Sequence, residues 1–221
     1  MMDKVTNIEE IKKSVTAGKT IMIGGFLNVG APEKLVDMLI EKDMKDLTII
    51  TNDTSFPGKG PAKLIERKMV KKLICTHIGT NPETGRQLNA GEIEVEFNPQ
   101  GTFVERIRSA GAGLGGFLTP TGVGTLVAQG KQIISVGDRD YILELPLKAD
   151  IALIKAWKAD RMGNLVYRRS ARNFTPLMAM AAELVIVEAE NIVETGSLDP
   201  DEVMTPSILV DMIIPGGYEN E

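Results

Sequence analysis

The stretch KTIMIGGFLNVGAPEKLVDML, residues 19–39, reads as a strand, a glycine-rich loop and a helix in immediate succession. Thr20–Ile23 is short, apolar and β-branched, as a buried strand is. Gly24, Gly25 and Gly30 fall within seven residues, and Pro32 opens a helix whose Leu35, Met38 and Leu39 share a face. Glycine tolerates positive φ and leaves peptide N–H groups uncovered, so either the backbone bends sharply here or something approaches it closely. A plain βα turn and a ligand loop are both compatible with this spacing.

The alternation continues outward on both sides. TNIEEIKKSVTAG (6–18) reads as a helix, with Thr6 and Glu9 as a capping box and Gly18 as its stop. LTIIT (47–51), KKLICTHIG (71–79) and EIEVEF (92–97) read as strands. GPAKLIERK (60–68), NPETGRQLNAG (81–91) and NPQGTFVERIRSAG (98–111) read as the helices between them. Farther on, QIISVGDRDYILELPL (132–147) predicts a hairpin turning at Gly137-Asp138. ADIALIKAWKAD (149–160) and AELVIVEAE (182–190) predict buried strands, and RNFTPLMAMAA (172–182) a helix capped by Asn173. This pattern is that of an α/β protein with a mostly parallel sheet. No linker or repeat divides the chain, so residues 1–215 are expected to form one domain and residues 216–221 a flexible tail.

Three strand-to-helix junctions carry a proline: Ala31-Pro32, Asn81-Pro82 and Asn98-Pro99. Such junctions gather at the carboxyl edge of a parallel sheet, where helix N-termini offer free N–H groups and partial positive charge. The edge is therefore expected to favour a small anion, a carboxylate or a phosphate ester.

Composition sets limits on what the chain does. Its 221 residues are 43% hydrophobic and 25% charged, with a net charge of −5. The acidic balance argues against nucleic acid as a partner. One cysteine allows no internal disulfide and no cysteine-based zinc site, and the single histidine excludes a histidine-rich metal site. A reducing, cytoplasmic location is expected. The amino terminus carries no apolar signal core, and no apolar run is long enough to span a bilayer.

Several residues stand out as candidates, each beside a plainer reading. Cys75 and His77 share a strand face, as a thiol–imidazole pair or as packed core. Gly111, Gly113 and Gly116 have dinucleotide-fingerprint spacing, but a helix precedes them instead of a strand, so a flexible loop or flap over a site is expected. Arg168, Arg169 and Arg172 are grouped either to hold phosphates or as a solvated patch or subunit contact. Gln100 sits at a helix start, where an amide can orient a carboxylate. The polar connection TNDTSFPGKG (51–60), which includes Asn52, is long enough to be a ligand loop. No nucleophile and no acid–base pair emerge from this reading.

GGFLNVGAP (24–32) resembles the Gly-Gly-Phe-x-x-x-Gly-x-Pro signature of the family I coenzyme A transferases. The likeness extends through LTIITNDTSFPGKG, THIGTNPETG, NPQGTFVERIRSAGAGLGGFLTPTGVGT, LELPLKADIALIKA and ARNFTPLMAMAA. In order, these segments are similar to the A (alpha) subunit of the butyrate/acetate–acetoacetate type. The resemblance implies a three-layer α/β/α fold shared with ribose phosphate isomerases. It implies transfer of CoA between an acyl-CoA and a short-chain carboxylate, by way of a glutamyl-CoA thioester. It further implies that the glutamate belongs to a B (beta) subunit, within a Ser-Glu-Asn-Gly type of motif.

This chain lacks that motif, and Glu190-Asn191-Ile192, its nearest approach, reads as a strand end. No catalytic nucleophile is therefore expected here, nor a permanently bound cofactor or metal. The resemblance assigns Gly24, Gly25, Phe26, Leu27, Asn28, Val29 and Gly30 to the coenzyme A segment, with Gln100 and Asn52 as polar contacts and residues 111–116 bordering the acyl pocket. It implies an A2B2 heterotetramer. A self-sufficient sugar-phosphate isomerase of the same fold and a non-catalytic sensing domain are the other readings. A Gly25→Val change is expected to block the loop while sparing the fold.

Overall fold

The computed structural model describes residues 3–216. Its strands are β1 (Thr20–Ile23), β2 (Leu47–Ile50), β3 (Val70–Cys75), β4 (Glu94–Phe97), β5 (Phe117–Thr119), β6 (Ile133–Val136), β7 (Arg139–Glu144), β8 (Ala149–Asp160), β9 (Leu165–Val166), β10 (Ala182–Val193) and β11 (Met212–Pro215). The α-helices are α1 (Ile8–Ser14), α2 (Glu33–Glu41), α3 (Ala62–Glu66), α4 (Pro82–Asn89), α5 (Gln100–Gly111) and α6 (Thr175–Met180). The main sheet runs β11-β10-β8-β1-β2-β3-β4, all parallel, with β9 folded back antiparallel on β8. A small antiparallel sheet, β5-β7-β6, stands apart from it.

Alternation along the central strands builds two cores. Ile21 and Ile23 of β1, Leu73 and Cys75 of β3, and Ile151 and Leu153 of β8 face Ile11, Leu35, Leu39 and Leu64 of α1–α3. Met22, Ile74, Ala152 and Ile154, which alternate with them, face Phe103 and Ile107 of α5 and Met178 of α6. A sheet with helices on both faces buries its strands twice over, which is why these runs carry few polar residues. Each fully buried Ile, Leu or Phe contributes about 1.5–3 kcal/mol by leaving water. The three-layer α/β architecture expected from the sequence is present.

The structure differs from expectation at several ends. Asn7, and not Thr6, caps α1: its Oδ1 accepts the Glu10 N–H at 3.0 Å. Thr6 is held instead by β11, donating its N–H to Ile213 O at 2.8 Å, so its backbone is committed to the sheet edge. Pro82 takes the first helical position with Asn81 as cap, as predicted, whereas Pro32 and Pro99 stand one position earlier, as caps. Asn173 likewise sits one residue before the α6 cap. Glu190 lies inside β10 and not at its end.

The loop expected over residues 111–116 is present and exposed across 112–115, and is fixed at its two ends. Gly111 ends α5 so close to α6 that a Cβ would stand 2.5 Å from Met180 Cβ. Gly116 passes the Glu144 carbonyl, where a Cβ would stand at 2.6 Å, and leads into β5, which pairs with β7. Gly216, assigned to the tail, donates to Ala189 O at 2.7 Å; residues 217–221 lie outside the described part. Among the described residues no helix is long and apolar enough to cross a membrane.

Candidate active site

The loops leaving β1, β2 and β3 meet at the carboxyl edge of the sheet. Phe26 and Val29 exchange both backbone hydrogen bonds, 3.1 Å for Phe26 N–H and 2.9 Å for Val29 N–H, closing a two-residue turn over Leu27-Asn28. Leu27 has φ +46° and Asn28 φ +72°. Left-handed backbone costs a residue such as leucine about 1–2 kcal/mol while asparagine adopts it readily, so the strain of the bend falls on Leu27. Gly25 at φ +124° and Gly30 at φ +82° flank the turn.

Asp53 holds the turn in place. It is buried, and its Oδ2 accepts the Leu27 N–H at 2.9 Å and the Asn52 amide at 2.8 Å, while Oδ1 accepts the Ser55 N–H at 2.7 Å. Asn28 Oδ1 adds a bond from Ser55 Oγ at 3.3 Å. The loop after β2, read from sequence as a ligand loop, is thus buried from Thr51 to Ser55 and serves as the support of the β1 turn.

Asn52 is fully buried. Its side chain is spent on Asp53, and its carbonyl accepts from both the N–H and the Oγ of Thr76, at 2.8 Å each. The structure therefore brings Asn52 beneath the turn instead of into the open cleft. Gly24 and Gly25 are also buried. A Cβ on Gly25 would meet Ala31 at 3.3 Å, and one on Gly30 would stand 2.6 Å from Ala171 O. In this chain these glycines let its own segments approach one another.

Above the turn lies a cleft of about 690 Å3 lined by Phe26, Leu27, Val29, Gln100, Phe174 and the segment 169–173. Phe26 packs between His77 and Phe174, with ring centroids 6.5 and 6.3 Å away, and Phe174 meets Phe103 edge-on at 6.3 Å. Asn173 ties the far wall to the turn, its Nδ2 donating to Val29 O at 3.2 Å while Oδ1 accepts the Phe174 N–H at 2.6 Å. Arg169 and Arg172 border the cleft.

Gln100 is exposed at the first residue of α5, a twelve-residue helix with no side-chain cap. That end of α5 is braced by Asn98, whose Oδ1 accepts from Arg106 at 2.6 Å. The α5 N-terminus therefore presents free amides next to Gln100, which favours an anion. The α2 N-terminus does not: buried Glu188 of β10 accepts the Lys34 N–H at 2.8 Å and the Leu35 N–H at 3.4 Å. Burial pushes the Glu188 carboxyl up to about 7 despite those donors and Lys155 and Lys34 nearby. The anion-friendly edge read from three prolines thus narrows to α5, since α2 is filled from within and α4 is capped by Asn81.

The thiol–imidazole pair does not form. Cys75 is buried in the core, and desolvation, with the Asp53 charge, pushes its thiol up to about 12. His77 has other contacts, its Nδ1 3.0 Å from Thr76 Oγ1 and its ring 6.5 Å from that of Phe26. No carboxylate and no thiol lines the cleft among the described residues. Residues 111–116 do not reach it either. Asp53, Asn173 and Phe174 were not singled out as site residues from the sequence, and His77 was considered only as a partner of Cys75. Only the Asn-Asp pair at the end of β2 signalled local backbone capping, and nothing revealed which loop it holds.

The chain matches the family model described as Coenzyme A transferase over residues 5–216. It is 50% identical over 214 residues to the acetate CoA-transferase subunit alpha of Escherichia coli, covering 97% of both chains. It is 52% identical over 214 residues to the acetoacetyl-CoA:acetate/butyrate CoA transferase alpha subunit of Clostridium acetobutylicum, covering 97% of this chain and 98% of that one. Among solved structures, an acyl-CoA transferase from Escherichia coli O157:H7, in a thioester complex with CoA, has TM-score 0.86 at 21% identity over 96% of this chain. This chain spans 47% of that structure's length. Glutaconate coenzyme A-transferase from Acidaminococcus fermentans has TM-score 0.81 at 19% identity, covering 97% of this chain and 76% of that one.

Proposed function

The chain belongs to the coenzyme A transferase family, and we propose that it is the A subunit of a short-chain acyl-CoA:carboxylate CoA-transferase acting on acetoacetate with acetyl-CoA or butyryl-CoA. Its partner is a B subunit, in an A2B2 heterotetramer in the cytoplasm. The coenzyme A thioester is a substrate, and no cofactor is permanently bound.

The observation that carries this reading is a cleft with binding groups and no carboxylate of its own. An aromatic wall, an exposed amide, a helix N-terminus and two arginines converge on it, yet its lining residues include no carboxylate or thiol. The partner supplies the glutamate. Its carboxylate attacks the thioester carbonyl and expels the CoA thiolate, giving a mixed acyl–glutamyl anhydride. The thiolate then attacks the glutamyl carbonyl, forming the glutamyl-CoA thioester and releasing the first carboxylate. A second carboxylate attacks the glutamyl thioester and expels the thiolate, giving a new anhydride. The thiolate then attacks the carbonyl of the incoming acyl group, forming the new acyl-CoA and freeing the glutamate. Splitting one exchange into such steps is what covalent catalysis provides.

In this chain Gln100 and the α5 amides steady the carboxylate groups as charge moves between oxygens. One well-placed donor is worth about 3 kcal/mol at the transition state. The Phe26–Val29 turn forms the floor on which the thioester lies, and Phe26 and Phe174 exclude water from it. An isomerase of this fold needs a proton-shuttling carboxylate at the cleft, which this lining lacks.

The test is reconstitution. The chain alone is expected to be inactive in acetoacetate-dependent CoA transfer, and the co-purified pair active. Full activity from the isolated chain sinks the proposal.

A further inference from the structure

Glu188 is a carboxylate set in an apolar run of β10, after Val185, Ile186 and Val187 and before Ala189. It is 1% exposed and shares a sheet face with Leu184 and Ile186, which pack with α1–α3. A buried carboxylate is costly unless donors meet it. Here the donors are the Lys34 and Leu35 N–H groups, at 2.8 and 3.4 Å, in the first turn of α2. α2 draws on this remote acceptor because Pro32, in its cap position, has no side-chain oxygen to offer. The lysines around Glu188 have other contacts. Lys155, opposite it in register on β8, pairs with Glu190 at 3.1 Å, and Lys34 Nζ donates to Pro215 O at 3.1 Å.

The end of β11 closes over the carboxylate. Gly216 donates its N–H to Ala189 O at 2.7 Å, and a Cβ on it would stand 2.5 Å from Glu188 Cγ. Glu188 is thus wedged between that glycine and the start of α2.

A series of backbone hydrogen bonds leads from there to the cleft. Glu33 N–H donates to Ala31 O at 3.1 Å, and Ala31 N–H to Asn28 O at 3.2 Å. Asn28 belongs to the turn whose Leu27 N–H is held by Asp53. The segment 27–35 is therefore fixed at its two ends by buried carboxylates, Asp53 after β2 and Glu188 in β10. Neither of them lines the cleft.

We infer that Glu188 is a positioning residue for CoA transfer: it fixes the start of α2 and, through Ala31, the seat of the Phe26–Val29 turn. The inference rests on the transferase reading above, in which that turn is the floor beneath the thioester. A shift of about 1 Å in such a floor costs up to about 100-fold in rate.

The experiment pairs Glu188→Ala, Glu188→Gln and Gly216→Ala each with the partner subunit. It measures kcat per folded complex, together with amide hydrogen exchange followed by mass spectrometry. Glu188→Ala is expected to lower kcat about 10- to 100-fold and to speed exchange across residues 26–35, with β2 and β3 unchanged. Glu188→Gln, which keeps an acceptor oxygen, is expected to restore kcat to within about threefold of wild type. Gly216→Ala, which crowds Glu188 without removing it, is expected to fall between. A wild-type kcat in Glu188→Ala overturns the inference even where α2 exchanges faster, since Glu188 is then a helix cap and nothing more. A Glu188→Gln as slow as Glu188→Ala also overturns it, because the acceptor oxygen is then not what sets the rate. Should Glu188→Ala fail to fold or assemble, Gly216→Ala decides, and an unchanged kcat there overturns the inference. If the wild-type pair transfers no CoA, the transferase reading fails on its own, and unchanged exchange across residues 26–35 then overturns this one.

Discussion

Asp53 Oδ2 accepts the peptide N–H of Leu27 at 2.9 Å, joining the loop after β2 to the strained turn after β1. The bond explains how a leucine at φ +46° is kept there. A backbone in a sparsely populated region persists only where its surroundings over-determine it, and such places cluster at functional sites. Asp53→Ala leaves three donors without their acceptor and is expected to lower stability by about 3 kcal/mol. Asp53→Asn, which keeps one acceptor oxygen, is expected to fall between. Denaturant unfolding measures the first effect. CoA transfer with the partner measures the second, and a full rate in Asp53→Ala would remove the turn from the mechanism.

The glycines make a different demand. Gly25→Val was expected from sequence to block the loop and spare the fold. With φ +124° and Ala31 at 3.3 Å, a side chain there strains the backbone whatever the ligand does. Gly25→Val and Gly30→Ala are therefore expected to unfold at lower denaturant, by about 1–3 kcal/mol each. Gly24→Ala is the milder change, since its Cβ meets Thr175 Oγ1 at 3.3 Å, with Leu153 O and Ile154 Cα at ordinary contact distance, 3.6 and 3.7 Å. Equal midpoints for Gly24→Ala and Gly30→Ala would contradict this ordering.

Gln100 separates chemistry from stability. It is exposed, so Gln100→Ala is expected to change unfolding by no more than about 0.5 kcal/mol. Its transfer rate with the partner is expected to drop about 10- to 100-fold in kcat. A wild-type kcat in this variant would mean that the amide at the α5 start does not meet the reacting groups.

Much of this architecture was legible because strands and helices announce themselves by period. The strand-loop-helix of residues 19–39 and the hairpin at Gly137-Asp138 needed only local rules. What escaped depends on contacts distant in sequence. Thr6 loses its capping role to β11, and β5 is a strand only because β7 lies alongside it. The α2 N-terminus looked open to a ligand because Glu188, which fills it, is 154 residues away in sequence from Lys34. Gln100 was picked out from its place at a helix start. Asp53 was passed over because an aspartate after a strand looks the same whether it caps its own loop or braces another.

Glu188 predicts a pH dependence with a definite sign. Its carboxyl is raised from 4.5 to about 7 in the folded chain. The folded state therefore binds more protons than the unfolded one between those values. The stabilisation is full below about pH 4.5 and is lost as pH rises toward 7, to a limit of about 3 kcal/mol. Glu188→Gln is expected to flatten this part of the stability profile. A wild-type profile that rises across the same window would contradict the assignment.

The most direct test of the central claim is to trap the intermediate. The reconstituted pair is incubated with acetoacetyl-CoA, digested and mapped by mass spectrometry. The expected result is coenzyme A in thioester linkage to a glutamate of the partner chain, with every glutamate of this chain unmodified. An adduct on a glutamate of this chain would contradict the claim that it supplies the binding wall and not the nucleophile.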